Sequence, residues 1–546
     1  MTDAPRPQPF RQSRIFLLLL TLAAAFAFQG ARGLYESTEG RYAESAREMI
    51  ETGQWLIPQL DYRPHWTKPP LTYWAIALGM KVFGQNERGV RLYSGVAFAL
   101  SVWAILVLGG WMWDKPTGFF AALIYATSPL TLIAAHTVNT DTLLTLWEIL
   151  VALGYWGALR RAGERAEWGK RAEGGKRGEG GKRAEGGKRG EGGKRGESGW
   201  IGVMWFSAGM AFFTKGPPGL LVLGAMVVFH IIRRRRGQIT PRMFQPASIV
   251  LFLVVALWWY LWADSRTKGL ASYFLKDEVV GRVLSGMHHR HSEWYQPFVI
   301  YVPVLLFGAG VAMIAWAALI HQQTSLFRWN NLRRAIWKND RLLFLSLWVF
   351  IPLSIFFMVH SRLHLYVLPL FPAVALATAR LLALFAGRRV FMRTVVGAMV
   401  LFALVLVAGR GVFAVRESER NMGQLYKAIQ ASSAAPTRVF AYRSSYSSKG
   451  STPLEMEARM FGLQFYLNGK LTRVEETGPL PDWARGLDDV IRDLRAHPEQ
   501  GPSIFVTGRR DQMPELAAAF EAAGISWNRV NVKSPYKILI TGAAPD

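Results

Sequence analysis

The chain contains no cysteine among its 546 residues, so disulfide bonds and thiolate metal sites are both excluded. Acidic residues are also scarce: 38 Asp and Glu stand against 64 Lys and Arg, which gives a formal net charge of +26. Such an excess is common in proteins that bind nucleic acid. Here much of it lies in short loops between apolar segments, where basic residues orient membrane proteins. We therefore expect the lipid bilayer as a partner and no nucleic acid.

Apolar side chains are abundant. They make up 51% of the residues, and 21 residues are Trp, which is too apolar for one soluble domain of this length. Many runs are long enough to cross about 30 Å of hydrocarbon. The first run lacks a small-residue cleavage site, so we interpret it as a retained helix rather than a signal peptide. The sequence predicts a mainly α, polytopic membrane protein. The eleven predicted spans are 15–34, 92–113, 117–135, 142–159, 200–214, 216–232, 247–263, 297–320, 342–358, 365–386 and 394–409.

The basic loops predict the orientation of these spans. Basic residues cluster before the first span, after the sixth, between the eighth and ninth, and between the tenth and eleventh. All these clusters fall on one side if the N-terminus is cytoplasmic. The opposite loops at 136–141, 215 and 359–364 contain only Lys215 and Arg362 as basic residues. An odd number of spans then places residues 411–546 outside the cytoplasm, in the periplasm or the extracellular space.

Residues 160–199 form a low-complexity insert, in which a Gly-Gly-Lys-Arg-Gly/Ala-Glu unit repeats from Gly174 to Glu197. The insert has 13 basic and 7 acidic residues and almost no apolar side chains. A segment of this composition buries too little apolar surface to offset the entropy of ordering. We therefore expect a disordered basic insert on the cytoplasmic side.

The C-terminal part, 411–546, reads as a small soluble α/β domain. Short runs rich in β-branched and aromatic residues indicate strands, and one amphipathic segment indicates a helix. We find neither a Gly-rich phosphate fingerprint nor a catalytic triad in it, which favours packing or acceptor guidance over chemistry. The strands are predicted at Arg438–Tyr442, Ser503–Thr507 and Lys537–Thr541, and the helix at Met513–Ala523.

The first external loop, 35–91, is too polar to span the membrane but has helical periodicity. Arg41–Glu51 places its apolar side chains on one stripe and its charged ones elsewhere, as in a helix that lies on a membrane surface. Two prolines open a second helix, Leu71–Phe83, because proline is tolerated in a first helical turn. We expect the loop to form a platform over the bundle, with Glu39 and Lys68 at the same interface.

Two motifs of this loop carry a family resemblance. They read Thr38-Glu39-Gly40-Arg41-Tyr42-Ala43-Glu44 and His65-Trp66-Thr67-Lys68-Pro69-Pro70. They resemble the first external loop of GT-C-fold glycosyltransferases, in particular the protein O-mannosyltransferases and lipid A aminoarabinose transferases (glycosyltransferase family 39-like). Thr38 stands where the family usually has the Asp of an Asp-Glu dyad.

The resemblance covers about residues 15–410 and implies a GT-C transmembrane glycosyltransferase domain over 1–410. It implies transfer of a sugar from a polyprenyl-phosphate-linked donor to an envelope acceptor, which is a lipid, a protein or a glycan. The reaction would take place on the outer face of the bacterial cytoplasmic membrane.

Such a transfer needs a base for the acceptor and cations for the departing phosphate. Glu39 is one candidate base. Asp141 is the other, since the family places an acidic residue there, although the alternative for Asp141 is a helix N-cap. Lys68, Lys215 and Arg362 are the expected phosphate partners because all three lie at external helix ends.

Three further residues are candidates for substrate binding: Arg41 beside the dyad, Arg282 in the external loop 264–296, and His364 in the family's short substrate-contacting loop. The same long loop contains three His within four residues, but no fixed carboxylate accompanies them. We therefore predict no metal site and no certain cofactor, with a divalent cation left open. Glu148 lies within a predicted span, where a charge is costly, so we expect it to be neutral, paired or facing a cavity.

Two other functions stay open at this point. A transporter or flippase for lipid-linked sugars would place polar groups near the membrane midplane, often in repeated halves. A non-catalytic envelope assembly factor would need neither Glu39 nor Lys68. Turnover of a polyprenyl-phosphate sugar by the purified protein separates an enzyme from both.

Overall fold

A computed structural model provides the structure of this protein. It describes the chain outside residues 1–8, 37, 176–182, 268, 274–292, 311–312, 314–315, 318–319, 322–328, 361, 384–388, 417, 419, 433–437, 443–459, 476–483, 508–511, 531–536 and 542–546. The described residues divide into two compact units. Unit 1 comprises 1–27, 67–72 and 93–407, and unit 2 comprises 28–66, 73–92 and 408–546.

The first helices and the one hairpin among them are α1 Pro9–Phe26, α2 Thr38–Thr52, β1 Gln59–Leu60, β2 Arg63–Pro64, α3 Leu71–Phe83, α4 Glu87–Met112, α5 Lys115–Thr127, α6 Pro129–Ala135, α7 Asp141–Gly175 and α8 Arg183–Lys215. The helices that follow are α9 Leu221–Arg235, α10 Pro246–Arg266, α11 Leu270–Tyr273, α12 Gln296–Gly308, α13 Trp329–Lys338, α14 Asp340–Met358, α15 Phe371–Ala383 and α16 Arg389–Val415. Short 3₁₀ turns at Pro217–Leu220 and His364–Leu370 precede α9 and α15.

Unit 1 is a helical bundle with one large apolar core. Seven helices of the described chain are long and apolar enough to cross a membrane, or eight if α5 and α6, bent by 63° at their junction, form one span. The chain is therefore a multi-pass membrane protein. The predicted number of eleven is not fully confirmed. The helices at the first and eighth predicted spans, Arg14–Phe26 and α12, are too short to cross alone, and the fifth predicted span, 200–214, is not among the seven or eight of the described chain.

Helices α7 and α8 form an antiparallel pair in close contact. A Cβ atom added to Gly154 would stand 2.6 Å from the backbone nitrogen of Met204, and one added to Gly157 would meet the ring of Trp200 at 2.5 Å. Glycine at these two positions lets the backbones approach, as small residues do in membrane bundles. In this register the start of α7 meets the end of α8.

The insert differs from its prediction at both ends. Helix α7 continues to Gly175, and α8 begins at Arg183, so only 176–182 of the insert lies outside the described residues. The buried Glu197 carboxylate binds Arg165 at 2.9 Å and accepts the Arg242 backbone N–H at 2.8 Å. The expectation of disorder is wrong for these ends, because the helix pair extends into them and Glu197 fixes one to the other.

Unit 2 contains a six-stranded sheet in the order β5-β4-β3-β6-β8-β7, with β8 and β7 antiparallel to their neighbours and the other four strands parallel. Its elements are α17 Met422–Ser432, β3 Arg438–Tyr442, α18 Phe461–Tyr466, β4 Leu471–Glu475, β5 Ala484–Gly486, α19 Leu487–Ala496, β6 Ser503–Thr507, α20 Met513–Ala522, β7 Trp527–Val530 and β8 Lys537–Thr541. A 3₁₀ turn, Pro498–Gln500, precedes β6.

The sheet has a separate apolar core on each face, and this α/β fold confirms the predicted fold class. Alternate residues of β3 belong to opposite cores, as the period of a strand requires: Val439 packs with α17 and α18, whereas Phe440 packs with α19 and α20. The three predicted strands are confirmed with the same bounds, and the predicted helix ends one residue earlier.

Helix α2 of the first loop is also present, but its charged side is buried. Glu48 accepts the backbone N–H groups of Asp61 and Tyr62, both at 2.9 Å, and so fixes the β1–β2 turn, where both residues have a φ of 57°. Glu44 pairs with Arg47 at 2.8 Å. The turn and the arginine thus supply partners for these charges that the periodicity of the sequence does not reveal.

Candidate active site

The predicted site residues are distributed over both compact units. Unit 1 contains Lys68, Asp141, Lys215, Arg362 and His364, and unit 2 contains Glu39 and Arg41. Arg282 lies outside the described residues, as do the three neighbouring histidines of its loop. The expectation that Glu39 and Lys68 share one interface therefore stays a prediction.

Asp141 is the first residue of α7 and does not serve as its N-cap. The side chain of Asn139 takes that role, since its Oδ1 accepts the Thr142 backbone N–H at 2.8 Å. Asn139 is itself fixed, because its amide donates to the carbonyls of Ala134 and Thr137, both at 2.9 Å. The N-cap alternative for Asp141 is wrong, and its carboxylate is available for another partner.

That partner is Lys215. The Lys215 ammonium donates to Oδ1 of Asp141 at 2.5 Å, and each side chain is only 9% exposed. Their meeting follows from the α7–α8 register, which brings the first residue of one helix to the last residue of the other. Gly216, with a φ of 74°, then turns the chain in a conformation that favours glycine. The structure thus places a largely buried carboxylate and a largely buried ammonium group together at one end of the helix pair.

An aromatic ring also lies beside Lys215. Its Nζ stands 4.3 Å from the ring centroid of Tyr366, within the range of a cation–π interaction. Tyr366 belongs to the 3₁₀ turn that starts at His364, whose own side chain is exposed. The sequence contained this tyrosine in the expected substrate loop, but gave no sign that it faces Lys215.

Arg362 lies just before the same turn and is 3% exposed. Its guanidinium donates to the backbone carbonyls of Glu293 and Phe357, both at 3.3 Å. Tyr301, a buried residue of α12, interacts electrostatically with Arg362, Tyr366 and Asp141. Arg362 therefore belongs to the same part of unit 1 as the Asp141–Lys215 pair, as a second buried cation.

Glu39, in unit 2, is held between two arginines. Arg32 donates to its Oε2 at 2.9 Å and Arg91 at 2.8 Å, and the Tyr35 backbone N–H adds a third bond at 2.9 Å. Burial by itself would raise the pKa of Glu39, but the two guanidinium groups outweigh it and hold the pKa well below the usual range. A carboxylate so stabilised is ionised at neutral pH and is a weak base.

Arg91 is the residue here that the sequence analysis missed. It is 1% exposed, and the carbonyls of Gln29, Arg32 and Gly33 accept its remaining N–H groups at 2.7 to 3.0 Å. Arg91 directly precedes the apolar run that begins at 92, a place where basic residues commonly flank a membrane span. The residues next to Arg91 in the sequence do not indicate that it pairs with Glu39, which lies 52 residues earlier.

Of the other two predicted residues, Arg41 lies 5.7 Å from the ring centroid of Tyr42 and acts electrostatically on Glu36. Lys68 is half-buried just before the two prolines that precede α3. Among the described residues, no group of three or more His, Asp or Glu side chains is arranged to hold a metal ion. The sequence left a divalent cation open, and that question stays open.

Comparison with known proteins gives this geometry a context. The model of the family described as "Dolichyl-phosphate-mannose-protein mannosyltransferase" matches residues 67–168, a segment that contains Lys68 and Asp141. The chain is 28% identical over 371 residues to an undecaprenyl phosphate-alpha-4-amino-4-deoxy-L-arabinose arabinosyl transferase of Pseudomonas savastanoi pv. phaseolicola, covering 68% of this chain and 61% of that protein. It is 29% identical over 347 residues to the enzyme of the same name from Pseudomonas aeruginosa, covering 63% and 55%. The match thus spans a little over half of these relatives' own length.

The solved structures decide the fold. ArnT from Cupriavidus metallidurans, bound to undecaprenyl phosphate, superposes with a TM-score of 0.68 at 17% sequence identity, over 97% of this chain and 98% of that one. The chain has the GT-C fold. The resemblance inferred from the first loop is thereby confirmed. A more distant GT-C neighbour is the archaeal oligosaccharyltransferase AglB from Archaeoglobus fulgidus, in complex with an inhibitory peptide and a dolichol-phosphate (TM-score 0.50, 12% identity, 94% of this chain and 70% of that one).

Proposed function

We propose that this protein transfers a sugar from a polyprenyl-phosphate-linked donor to an envelope acceptor at the outer face of the bacterial inner membrane. The observation that carries the proposal is the buried Asp141–Lys215 pair, with Arg362 as a second buried cation in the same unit. The donor class is supported by the relatives, whose names specify an undecaprenyl-phosphate sugar, and by a GT-C structure that holds undecaprenyl phosphate.

The chemistry follows from the groups present. The acceptor hydroxyl or amine attacks the anomeric carbon and passes its proton to a base, while the bond from that carbon to the phosphate oxygen breaks and its electron pair leaves with the phosphate. Asp141 takes the proton. Lys215 and Arg362 neutralise the charge that grows on the departing phosphate, where fixed cations in a buried site act most strongly. Lys68 is a third phosphate partner.

Asp141 is the better base of the two candidates. Its second oxygen, Oδ2, makes no hydrogen bond within the described part of the chain, whereas both oxygens of Glu39 bind arginine. Its partner is a single lysine on a flexible stem, which can move from Asp141 to a phosphate. Glu39 instead acts as a structural anchor that fixes the segment before α2. Arg41 stays a proposed substrate-binding residue.

The acceptor belongs to the lipid, protein or glycan class. We propose that the C-terminal part, 411–546, packs against the rest of the protein or guides this acceptor, and that it lies outside the cytoplasm whereas the N-terminus is cytoplasmic. Purified protein reconstituted with a radiolabelled undecaprenyl-phosphate sugar and an envelope extract tests the function. We expect label in the acceptor fraction together with an equal amount of released undecaprenyl phosphate. Movement of the labelled lipid across the vesicle membrane without release of undecaprenyl phosphate would indicate a flippase and contradict the proposal.

A further inference from the structure

Glu148 is a buried acid that the proposed chemistry does not use. It lies in α7 seven residues after Asp141, which is two helical turns, so both side chains emerge on nearly the same face about 10 Å apart along the axis. The residue is 1% exposed and lies in a span that is long and apolar enough to cross the membrane. A carboxyl group in such a place is costly and calls for a functional explanation.

Its surroundings contain the same two groups that form the proposed site. Lys215 and Asp141 are the charged residues that act on Glu148 electrostatically, with Lys215 the stronger. Within the described part of the chain, Oε2 of Glu148 is buried and has no hydrogen-bond partner. The Lys215 ammonium donates to Asp141, and a lysine ammonium has three N–H donors in all, so it is able to interact with more than one acceptor. Lys215 thus interacts with two carboxyl groups that lie on one helix face, by a hydrogen bond with Asp141 and electrostatically with Glu148.

The charges decide the state of this group. One ammonium balances one carboxylate, and Asp141 already holds Lys215 at 2.5 Å. Among the described residues, the charges that act on Glu148 do not include Arg362, so an ionised Glu148 would be a buried carboxylate whose interacting cation is already neutralised, at a cost of several kcal/mol. Glu148 is therefore the neutral member, a carboxylic acid that offers Lys215 a dipole rather than a charge.

We propose that Glu148 is a positioning residue that holds Lys215 in the site when the lysine moves from Asp141 to the donor phosphate. A neutral acid suits this task because it steadies the ammonium without competing for it as a second carboxylate would. The release of Lys215 at the same time frees Asp141 to act as a base. This inference rests on the proposed function, since it assigns Glu148 a part in the same donor site.

The test compares two substitutions. Glu148→Gln keeps the size and the hydrogen-bonding groups without a charge, and Glu148→Leu removes the polar groups. We expect the Gln variant to stay within about twofold of the parent in kcat and donor KM, whereas the Leu variant raises donor KM by roughly threefold to twentyfold, the range of single polar contacts between membrane helices. Glu148→Met replaces the Leu variant if the latter does not fold.

A double-mutant cycle with Lys215→Ala separates positioning from packing. If Glu148 acts through Lys215, then Glu148→Leu adds nothing to the loss caused by Lys215→Ala; an additive loss contradicts the proposal. Equal impairment of the Gln and Leu variants also contradicts the proposal, because an ionised carboxylate would then be required. Parent-like kinetics of both variants would contradict it as well. Glu197→Gln, the same substitution in a buried acid at the other end of the helix pair, serves as the control and leaves KM unchanged.

Binding of undecaprenyl phosphate alone, followed by tryptophan fluorescence, keeps the two proposals distinguishable. If the parent protein transfers no sugar, the proposed function fails, yet weaker phosphate-lipid binding by Glu148→Leu and not by Glu148→Gln would still support the positioning role. If the parent transfers sugar and both variants bind the lipid as the parent does, only the role of Glu148 is refuted.

Discussion

In unit 2, Glu39 is held by two guanidinium groups and a backbone N–H; in unit 1, Asp141 meets one ammonium group. Both are buried carboxylates at positions that the family resemblance marks for the same task. The difference lies in whether the cation that binds the carboxylate can move to another anion. A carboxylate held by two rigid, planar cations cannot give up its partners without exposing buried charge, whereas a lysine on a four-carbon stem can turn to another anion. The first arrangement stabilises the structure, and the second is suited to chemistry.

The largest effect expected from this contrast is on turnover. Asp141→Asn keeps the shape of the side chain and removes its basicity, so we expect kcat to fall by about 10²- to 10⁴-fold, the usual cost of a lost general base. The variant should keep its fold by circular dichroism, although the lost charge of the buried pair lowers its melting temperature.

Glu39→Gln is the matched variant for that comparison. It should impair turnover less than Asp141→Asn does, with its main effect on stability, because its partners are structural. A larger turnover loss in Glu39→Gln, with the fold retained by circular dichroism, would reverse the assignment. Parent-like transfer by both variants would refute the mechanism as a whole.

The second prediction concerns stability. Arg91→Ala leaves Glu39 with one guanidinium and several carbonyls without their donor, so we expect unfolding to become easier by about 3–5 kcal/mol, the cost of breaking a buried ion pair. Arg88→Ala, an exposed arginine one turn earlier in α4, should stay within about 0.5 kcal/mol of the parent. Chemical unfolding in detergent measures both, and equal stability of the two variants would show that the arginine pair is not what holds Glu39.

The sequence predicted the secondary structure and the fold better than it predicted the contacts of Glu39 and Asp141. Local patterns were sufficient for the strands Arg438–Tyr442, Ser503–Thr507 and Lys537–Thr541, and for the helix Leu71–Phe83 that follows two prolines. Each of these depends on periodicity or on a turn residue within a few positions. The motifs of the first loop were sufficient for the GT-C fold, which no composition argument would have given.

The pairings that decide the roles were not predictable in this way. Arg91 reaches Glu39 across 52 residues, and Lys215 reaches Asp141 across 74, so neither contact leaves a local signal. The burial of the charged side chains of α2 was not predicted for the same reason, because Glu48 binds the backbone of a turn 13 residues later. Charged residues looked solvated because their partners come from elsewhere in the chain.

A third buried carboxyl group, Glu36, leads to a prediction about how the stability of the protein depends on pH. Its Oε2 accepts the Gly462 backbone N–H at 2.8 Å, and burial raises its pKa to about 7, although Arg473 and Arg41 lower it in part. The folded state thus binds this proton more tightly than the unfolded state does. Stability from this group is fully present below pH 4.5 and is lost as pH rises towards 7, by up to roughly 3 kcal/mol.

Glu36→Gln removes that titration and keeps an oxygen for Gly462. We expect the variant to show a smaller fall in stability between pH 4.5 and 7 than the parent, as measured by denaturant unfolding at a series of pH values. The part that remains comes from other buried carboxyl groups such as Glu48, whose pKa burial raises to about 8. An unchanged slope would mean that Glu36 is not the group responsible. The Arg-held Glu39 has the opposite sign, because its lowered pKa contributes stability that is lost only in strong acid.

The smallest effect is expected from a deletion in the repeat insert. A fourth buried carboxylate, Glu197, determines how far such a deletion can extend. Glu197 binds Arg165 and the backbone of Arg242, so a deletion that includes it would remove real contacts. Deletion of 174–191 in three whole repeat units leaves Glu197 in place and takes out a segment with almost no apolar side chains. We therefore expect stability within about 0.5 kcal/mol of the parent and unchanged turnover. A deletion that runs to Glu197 should be clearly worse, since an unmade buried hydrogen bond costs about 1–3 kcal/mol. If the shorter deletion is as damaging as the longer one, the repeat itself binds somewhere, and the charge-rich insert is part of the working protein rather than an expansion that the helix pair tolerates.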